Sequence, residues 1–343
     1  MLTHDAAPGL PPIVQLAKHA AAHLGYDFRV EDEAYGYLFS LTRGHRKRYF
    51  VGGLSALNDA VSSRVAQDKY YTSMVLASRG IHVPEQIRCI REGYFKNEAI
   101  VDDDALERAT AFARRVGYPV IVKPNRMSLG RDVMAAHDET QLYEAMHTVW
   151  KSDYIALVQR VARGQDVRLD FLDGSFLAGY CRTAVCICGD GERSVRQLLC
   201  EQDERFADAE FFAKRRADGE FEQALTARGY DETTVLRRGE AIGFDTPVLN
   251  LNRWATARVL DGVTARWRDY CVEVGEVLGL RHFGLDLRVP CHEHEPWQRT
   301  DPQQSVVIEV NASPALVQLH NLGFERQAIE GQARVFRALF EGT

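Results

Sequence analysis

The sequence predicts an α+β fold built mostly on antiparallel sheets, and three observations carry that expectation. Val167 to Leu172 and Phe176 to Cys181 are strand-like runs joined by Asp173-Gly174, a dipeptide suited to a tight hairpin turn. Gly284 to Val289 and Val306 to Asn311 alternate apolar and polar residues and stand close enough in sequence to pair. Amphipathic helices are interspersed among these runs without the regular strand–helix–strand repeat of a doubly wound sheet.

Along the chain, Gln67 to Ser78 reads as a helix closed by Gly80, followed by the strand-like turn Ile81-His82-Val83-Pro84. Asp102-Asp103-Asp104 precedes Leu106, Ala109, Ala113 and Val116 at helical spacing. The acids favour the positive end of that helix, and Gly117 stops it. Pro119 to Pro124 is a buried strand framed by prolines, and Tyr154 to Arg160 is another. Between them, Asp138 with Gln141 predicts a capped helix whose apolar face is Leu142, Ala145, Met146 and Val149. Gly189-Asp190-Gly191 is a tight turn, and residues 192–230 read as largely helical and charged. Val263 to Leu278 is an amphipathic helix with Trp267, Cys271, Val274 and Leu278 inward, ended by Gly279.

The 343 residues are 45% hydrophobic and 26% charged, enough for one large domain or two to three lobes with real cores. No run of apolar residues is long enough to span a bilayer, and Met1 to Pro12 lacks the features of a secretory signal. A cytoplasmic protein is the expectation. Forty-eight acidic and 42 basic residues are spread without long blocks, which argues against nucleic acid or anionic lipid as partners. Seven scattered cysteines point to reduced thiols rather than a disulfide framework. Cys186-Ile187-Cys188 places two thiols on one strand face, read as core cysteines; Cys291-His292-Glu293-His294 reads as a surface loop, and Arg43 to Arg48 as a solvated turn.

The chemistry concentrates near the C-terminal end. Alternation puts Asp286 and Arg288 on one strand face, with Leu285, Leu287 and Val289 on the other. It likewise puts Glu309 and Asn311 opposite Val306, Ile308 and Val310. Once paired, Asp286 stands beside Glu309 and Asn311, a hard, all-oxygen donor set suited to Mg²⁺ shared with phosphate oxygens. Adjacent carboxylates repel, which a cation relieves; a merely solvated face is the alternative. Lys123 ends a buried strand before the loop Asn125 to Asp132, where a lysine and backbone N–H groups can reach nucleotide phosphates.

With these pieces in order, the sequence resembles the ATP-grasp superfamily, and within it the amino-acid ligase branch containing cyanophycin synthetase and the bifunctional glutathione synthetases. Asp68-Lys69 with Gly80 to Pro84, Ile121-Val122-Lys123-Pro124 with Gly130-Arg131, Val158-Gln159-Arg160 through Gly164 to Arg168, and Gly284-Leu285-Asp286 with Ile308 to Pro314 carry the resemblance. Gly189-Asp190-Gly191, Val235 to Glu240 and Leu249 to Asn252 narrow it to that branch. It covers about residues 65 to 325.

The resemblance implies two α+β subdomains gripping ATP between antiparallel sheets, with 1–65 a small N-terminal α/β lobe, 66–155 the small subdomain and 156–343 the C-terminal subdomain with the metal site. It implies that Lys69 and Lys123 neutralise phosphates and that Ser128 and Gly130 lie in the phosphate loop. Gln159, Arg160 and Val161 would meet adenine, Asp166 the ribose, and Asp286, Glu309 and Asn311 would hold Mg²⁺. Arg168 and Arg182 are the candidates for clamping the transferred phosphoryl group or an acyl-phosphate. The implied activity is an ATP- and Mg²⁺-dependent carboxylate–amine ligase acting on an amino acid or short peptide. A small-molecule kinase and a ligase acting on a protein terminus are the alternatives. The expected partners are small molecules; the oligomeric state stays open, a homodimer included. The chain departs from the family's glycine-rich loop at Met127 and Asp132, has Gln159 where glutamate is common, and carries Arg253 to Arg258 in place of a small glycine-rich segment.

Overall fold

A proline in the first turn and a left-handed glycine at the end delimit the first helix, Pro12–Leu24, with Gly25 at φ +67°. The computed structural model to which it belongs describes residues 9–91, 104–128, 130–216, 220–244, 255–290 and 296–341. The chain divides into two compact units, each discontinuous in sequence. Unit 1 comprises Met1–Pro84, Ala162–Tyr180 and Val259–Thr343; unit 2 comprises Glu85–Val161 and Cys181–Arg258. The consecutive segments 1–65, 66–155 and 156–343 expected from sequence are a linear division, whereas these units interleave.

In unit 1, strands Asp27–Val30, Leu38–Arg43 and Arg46–Val51 form an antiparallel sheet in that order. Phe39 stacks on Phe28 at 5.3 Å and on Phe50 at 4.9 Å, and Phe336 of helix Glu325–Glu341 meets Phe50 edge-on. Phe39, Phe50 and Phe336 are buried, each contributing roughly 1.5–3 kcal/mol by burial. The basic cluster is only partly the expected turn: Gly44 and His45 make it, while Arg46, Lys47 and Arg48 run on as strand. Lys47 reaches Glu31 at 2.7 Å.

The predicted helix Gln67 to Ser78 is the helix Lys69–Ala77, and Gln67 ends a separate helix before it, Ala60–Gln67. Asp68 breaks the run because its carboxylate caps the second helix, accepting from Tyr71 N–H at 3.0 Å. Ile81 to Pro84 is not a strand, although the His82 carbonyl accepts from Val307 N–H at 2.9 Å. Helix Ala265–Val277, capped by Thr264, buries Trp267, Cys271 and Val274 as its periodicity predicts.

The largest sheet runs in the order Ala255–Val259, Ser175–Ala184, Gln165–Leu172, His282–Val289, Val306–Ala312. The last two strands pair antiparallel with Asp286 opposite Glu309 and Gly284 opposite Asn311. A bulge between Asp286 and Leu287 alters the predicted alternation of the edge strand. Val307 and Val310 are the buried residues there, three apart, instead of Val306, Ile308 and Val310.

Unit 2 contains an antiparallel sheet ordered Gln86–Ile90, Ile155–Arg160, Val120–Pro124, Met134–Ala136. Val120, Val122, Ala156 and Val158 share a core with Phe112 of helix Ala105–Val116 and Leu142, Met146 and Val149 of helix Glu139–Ser152. The Asp138 cap forms as expected, accepting from Gln141 N–H at 2.8 Å. The predicted acidic start Asp102-Asp103 lies outside the described residues, as do Leu249 to Asn252 and Cys291 to His294. Strands Cys186–Cys188 and Ala241–Gly243 form a ribbon beside helix Val195–Gln202, with Ile187, Leu198, Leu199 and Ile242 in a second core. The two thiols are not core groups: Ile187 takes the buried face, so Cys186 and Cys188 are exposed on the other.

Candidate functional site

Three adjacent strands of unit 1 bring alternating polar residues onto one face. Strand His282–Val289 lies between its two partners, so Arg168 and Glu309 both stand directly opposite Asp286. Asp170 and Asn311 stand opposite Gly284, and Asp166 opposite Arg288. Period-two geometry on three strands therefore gathers residues from three distant stretches of sequence.

Arg168 is the hub. Its Nη1 donates to Asp286 Oδ2 at 2.5 Å and its Nε to Asp170 Oδ1 at 2.7 Å. Asn311 Nδ2 donates to the same Asp286 oxygen at 3.0 Å. Side-chain exposures of 12% for Arg168, 14% for Asp286 and 5% for Asp170 make this a buried network rather than a surface salt bridge. Burial opposes the guanidinium charge, but Asp170 and Asp286 outweigh it and hold the Arg168 pKa well above the ordinary arginine value. Gly284 makes the network possible, because a Cβ there would collide with the Asp170 carboxylate and the Arg168 guanidinium.

Lys69, buried at the start of its helix, extends the row, with Nζ 3.4 Å from Glu309 Oε1. At the other end, Arg288 Nη2 lies 3.1 Å from Asp166 Oδ2. Asp286, Glu309, Asn311, Arg168, Lys69 and Asp166 therefore belong to one continuous polar face. Among the described residues no group of three or more His, Cys, Asp or Glu converges, and the oxygen set expected from the sequence is the Asp286 and Glu309 carboxylates with the Asn311 amide. That all-oxygen set fits Mg²⁺ by its chemistry. Asp170, Gly284 and Arg288 escaped prediction as parts of the site. In the sequence Asp170 is one residue of a strand-like run, and the pairing that aligns it with Gly284 has no local signal.

Beyond this row, on the same face of the central strand, lies His282, buried, with neither ring nitrogen hydrogen-bonded. Burial pushes its pKa down to about 4, helped by Arg168 and opposed by Asp173.

In unit 2, Lys123 and Gln159 share the sheet face opposite the core, since Lys123 pairs with Leu157 and Ile121 with Gln159. Both are buried. Gln159 Oε1 and Nε2 of Gln86, its neighbour across the pairing, lack hydrogen-bond partners. Arg160 is exposed, its Nη1 3.9 Å from Glu85, and Val161 is half-buried. Ser128 is exposed and its carbonyl accepts from Arg131 N–H at 3.2 Å. Gly130 (φ +68°) and Asp132 (φ +54°) both adopt left-handed backbone, so aspartate occupies a conformation that favours glycine. Arg182 is half-buried on strand Ser175–Ala184.

No protein-family model matches the chain. Cyanophycin synthetase of Nostoc sp. is 26% identical over 287 residues, covering 81% of this chain and 30% of the relative. The glutathione biosynthesis bifunctional protein GshAB of Mannheimia succiniciproducens is 21% identical over 308 residues, covering 87% of this chain and 38% of the relative. The chain thus spans less than two-fifths of the length of either relative. Among solved structures, a bifunctional glutathione synthetase from Pasteurella multocida superposes with a TM-score of 0.59 at 16% identity, covering 97% of this chain and 44% of that one. The chain resembles these ATP-grasp proteins, and the structural match shows that it carries their α+β fold.

Proposed function

We propose that the chain is an ATP- and Mg²⁺-dependent ligase that joins a carboxylate to an amine through an acyl-phosphate, releasing ADP and phosphate. The observation that carries the proposal is Asp286 standing directly opposite Glu309, with Asn311, Arg168 and Lys69 in hydrogen-bond or ion-pair reach of that pair. Two carboxylates in adjacent register positions repel, and the basic partners moderate that repulsion without supplying a hard cation.

Asp286, Glu309 and the Asn311 amide would hold Mg²⁺, which supplies charge neutralisation to phosphate oxygens. Lys69 and Lys123 act as point charges toward the phosphates, and the backbone around Ser128 and Gly130 offers N–H groups to them. Gln159 Oε1, buried without a donor, suits an amino group of the base, and Asp166 suits ribose hydroxyls. Arg168, held by Asp170 and Asp286, stays charged and fixed in direction while phosphoryl charge moves; Arg182 is the second candidate clamp. The incoming amine displaces phosphate from the acyl carbon, giving an amide. The names of the relatives favour amino acids or short peptides as the joined molecules.

The test is phosphate release from ATP and Mg²⁺ across amino acids singly and in pairs, with product masses. Release requiring both a carboxylate and an amine, with a product lighter than their sum by one water, is the expected result. A phosphorylated product would make the protein a kinase instead. Glu309→Gln should abolish turnover with an unchanged circular dichroism spectrum; near-normal ATP consumption by that variant would refute the metal assignment.

A further inference from the structure

Unit 2 presents a pair of thiols that the proposed ligase chemistry does not use. Strand Cys186–Cys188 runs antiparallel to Ala241–Gly243, with Cys186 opposite Gly243 and Cys188 opposite Ala241. Ile187 and Ile242 take the buried face of this ribbon. Both cysteines therefore stand on the other face, exposed, beside two residues too small to cover them. A cysteine that serves only the core packs as a small buried hydrophobe, as Cys89, Cys181 and Cys271 do.

The ribbon holds the two side chains in a fixed relation. Ile187 packs with Val185, Leu198 and Leu199, and Gln202 Nε2 donates to the Cys186 carbonyl. Phe244 N–H donates to the Val185 carbonyl at 2.9 Å, and Gly189 N–H to the Glu240 carbonyl at 2.8 Å, so the backbone is tied down on either side of the pair. Residues i and i+2 of a strand are about 6.7 Å apart. That is long for a disulfide, whose Cα atoms usually lie about 5.5–6 Å apart. It suits a bridge with an atom between the sulfurs, since two metal–sulfur bonds of about 2.3 Å each add to a longer span.

From this we infer a soft-metal site in which Cys186 and Cys188 chelate one copper(I) ion between their sulfurs. Thiolates select soft ions. Among the described residues no third His, Cys, Asp or Glu converges with the pair, which favours an ion that closes its coordination with two thiolates over zinc, which takes four ligands. As the ion binds, each thiol releases its proton to solvent, so two S–H bonds give way to two S–Cu bonds and no electron is transferred. The inference stands apart from the ligase reading and does not depend on it.

The experiment is anaerobic titration of the reduced full chain with copper(I) against bathocuproine disulfonate, whose colour reports the copper that the protein fails to hold. One ion per chain should be retained, with thiolate-to-copper charge-transfer absorbance in the ultraviolet. Cys186→Ser and Cys188→Ser should each weaken retention by at least about a hundredfold, because either change turns a chelate into a single ligand. Both side chains are exposed, so serine at either position leaves the core packing unchanged. Cys291→Ser should have no effect. Retention that survives both serine variants, retention that is lost in Cys291→Ser, or no copper held against the competitor would each overturn the inference.

Discussion

Arg168 illustrates how the role proposed for one side chain depends on its structural setting. Its two carboxylate partners keep it charged inside the sheet, and Gly284 leaves the space through which it passes. Gly284→Ala should therefore displace the Arg168–Asp170 contact and lower ATP turnover by at least about tenfold, the scale of one fixed charge stabiliser. Wild-type turnover in that variant would show that the network is dispensable. His282 makes a different prediction, about pH. Its folded pKa of about 4 lies below the ordinary 6.5, so between those values the unfolded chain binds a proton that the folded chain does not. Its stabilising contribution is complete above pH 6.5 and is lost as pH falls toward 4, by up to roughly 3 kcal/mol. Urea unfolding across that window should show this slope, and His282→Gln should flatten it; an identical slope in both proteins would assign the effect elsewhere.

At the scale of elements, the legible features were those set by local patterning. The Asp138 cap and the inward face of Trp267, Cys271 and Val274 follow from helical spacing, and the structure has both. Leu285, Leu287 and Val289 alternate inward as predicted. What alternation could not reveal was the bulge after Asp286, because an extra residue in one strand is decided by pairing with its neighbour. Nor could it place strand Gln165–Leu172 beside His282–Val289, a long-range choice that brought Asp170 into the site. Asp68 separates two helices and caps the one that begins with Lys69, a role that its place in a motif does not reveal. Asp68→Ala should cost about 1 kcal/mol of unfolding free energy, the usual value of an N-cap. An unchanged denaturation midpoint would mean that another group takes over the cap.

For the whole molecule, each unit has its own buried clusters. A ligand that binds only the folded chain stabilises it by mass action, about 2.7 kcal/mol at one hundred times its Kd. ATP with Mg²⁺ should therefore raise the unfolding temperature, and excess EDTA should remove most of the increase. A rise that persists in EDTA, or survives Glu309→Gln undiminished, would mean that nucleotide binds without the proposed metal ligands.

The interleaving of the units also bears on how the chain comes off the ribosome. Every residue of unit 2 has been synthesised once Arg258 is joined, whereas unit 1 still awaits everything from Val259 onward. The strands carrying Asp286, Glu309 and Asn311 are among that late material. During elongation the early strand Gln165–Leu172 therefore waits with an unsatisfied edge until His282–Val289 emerges to cover it. Nascent chains are most exposed to mispairing in that interval, and the carboxylates of the candidate site are among the last groups to find their neighbours.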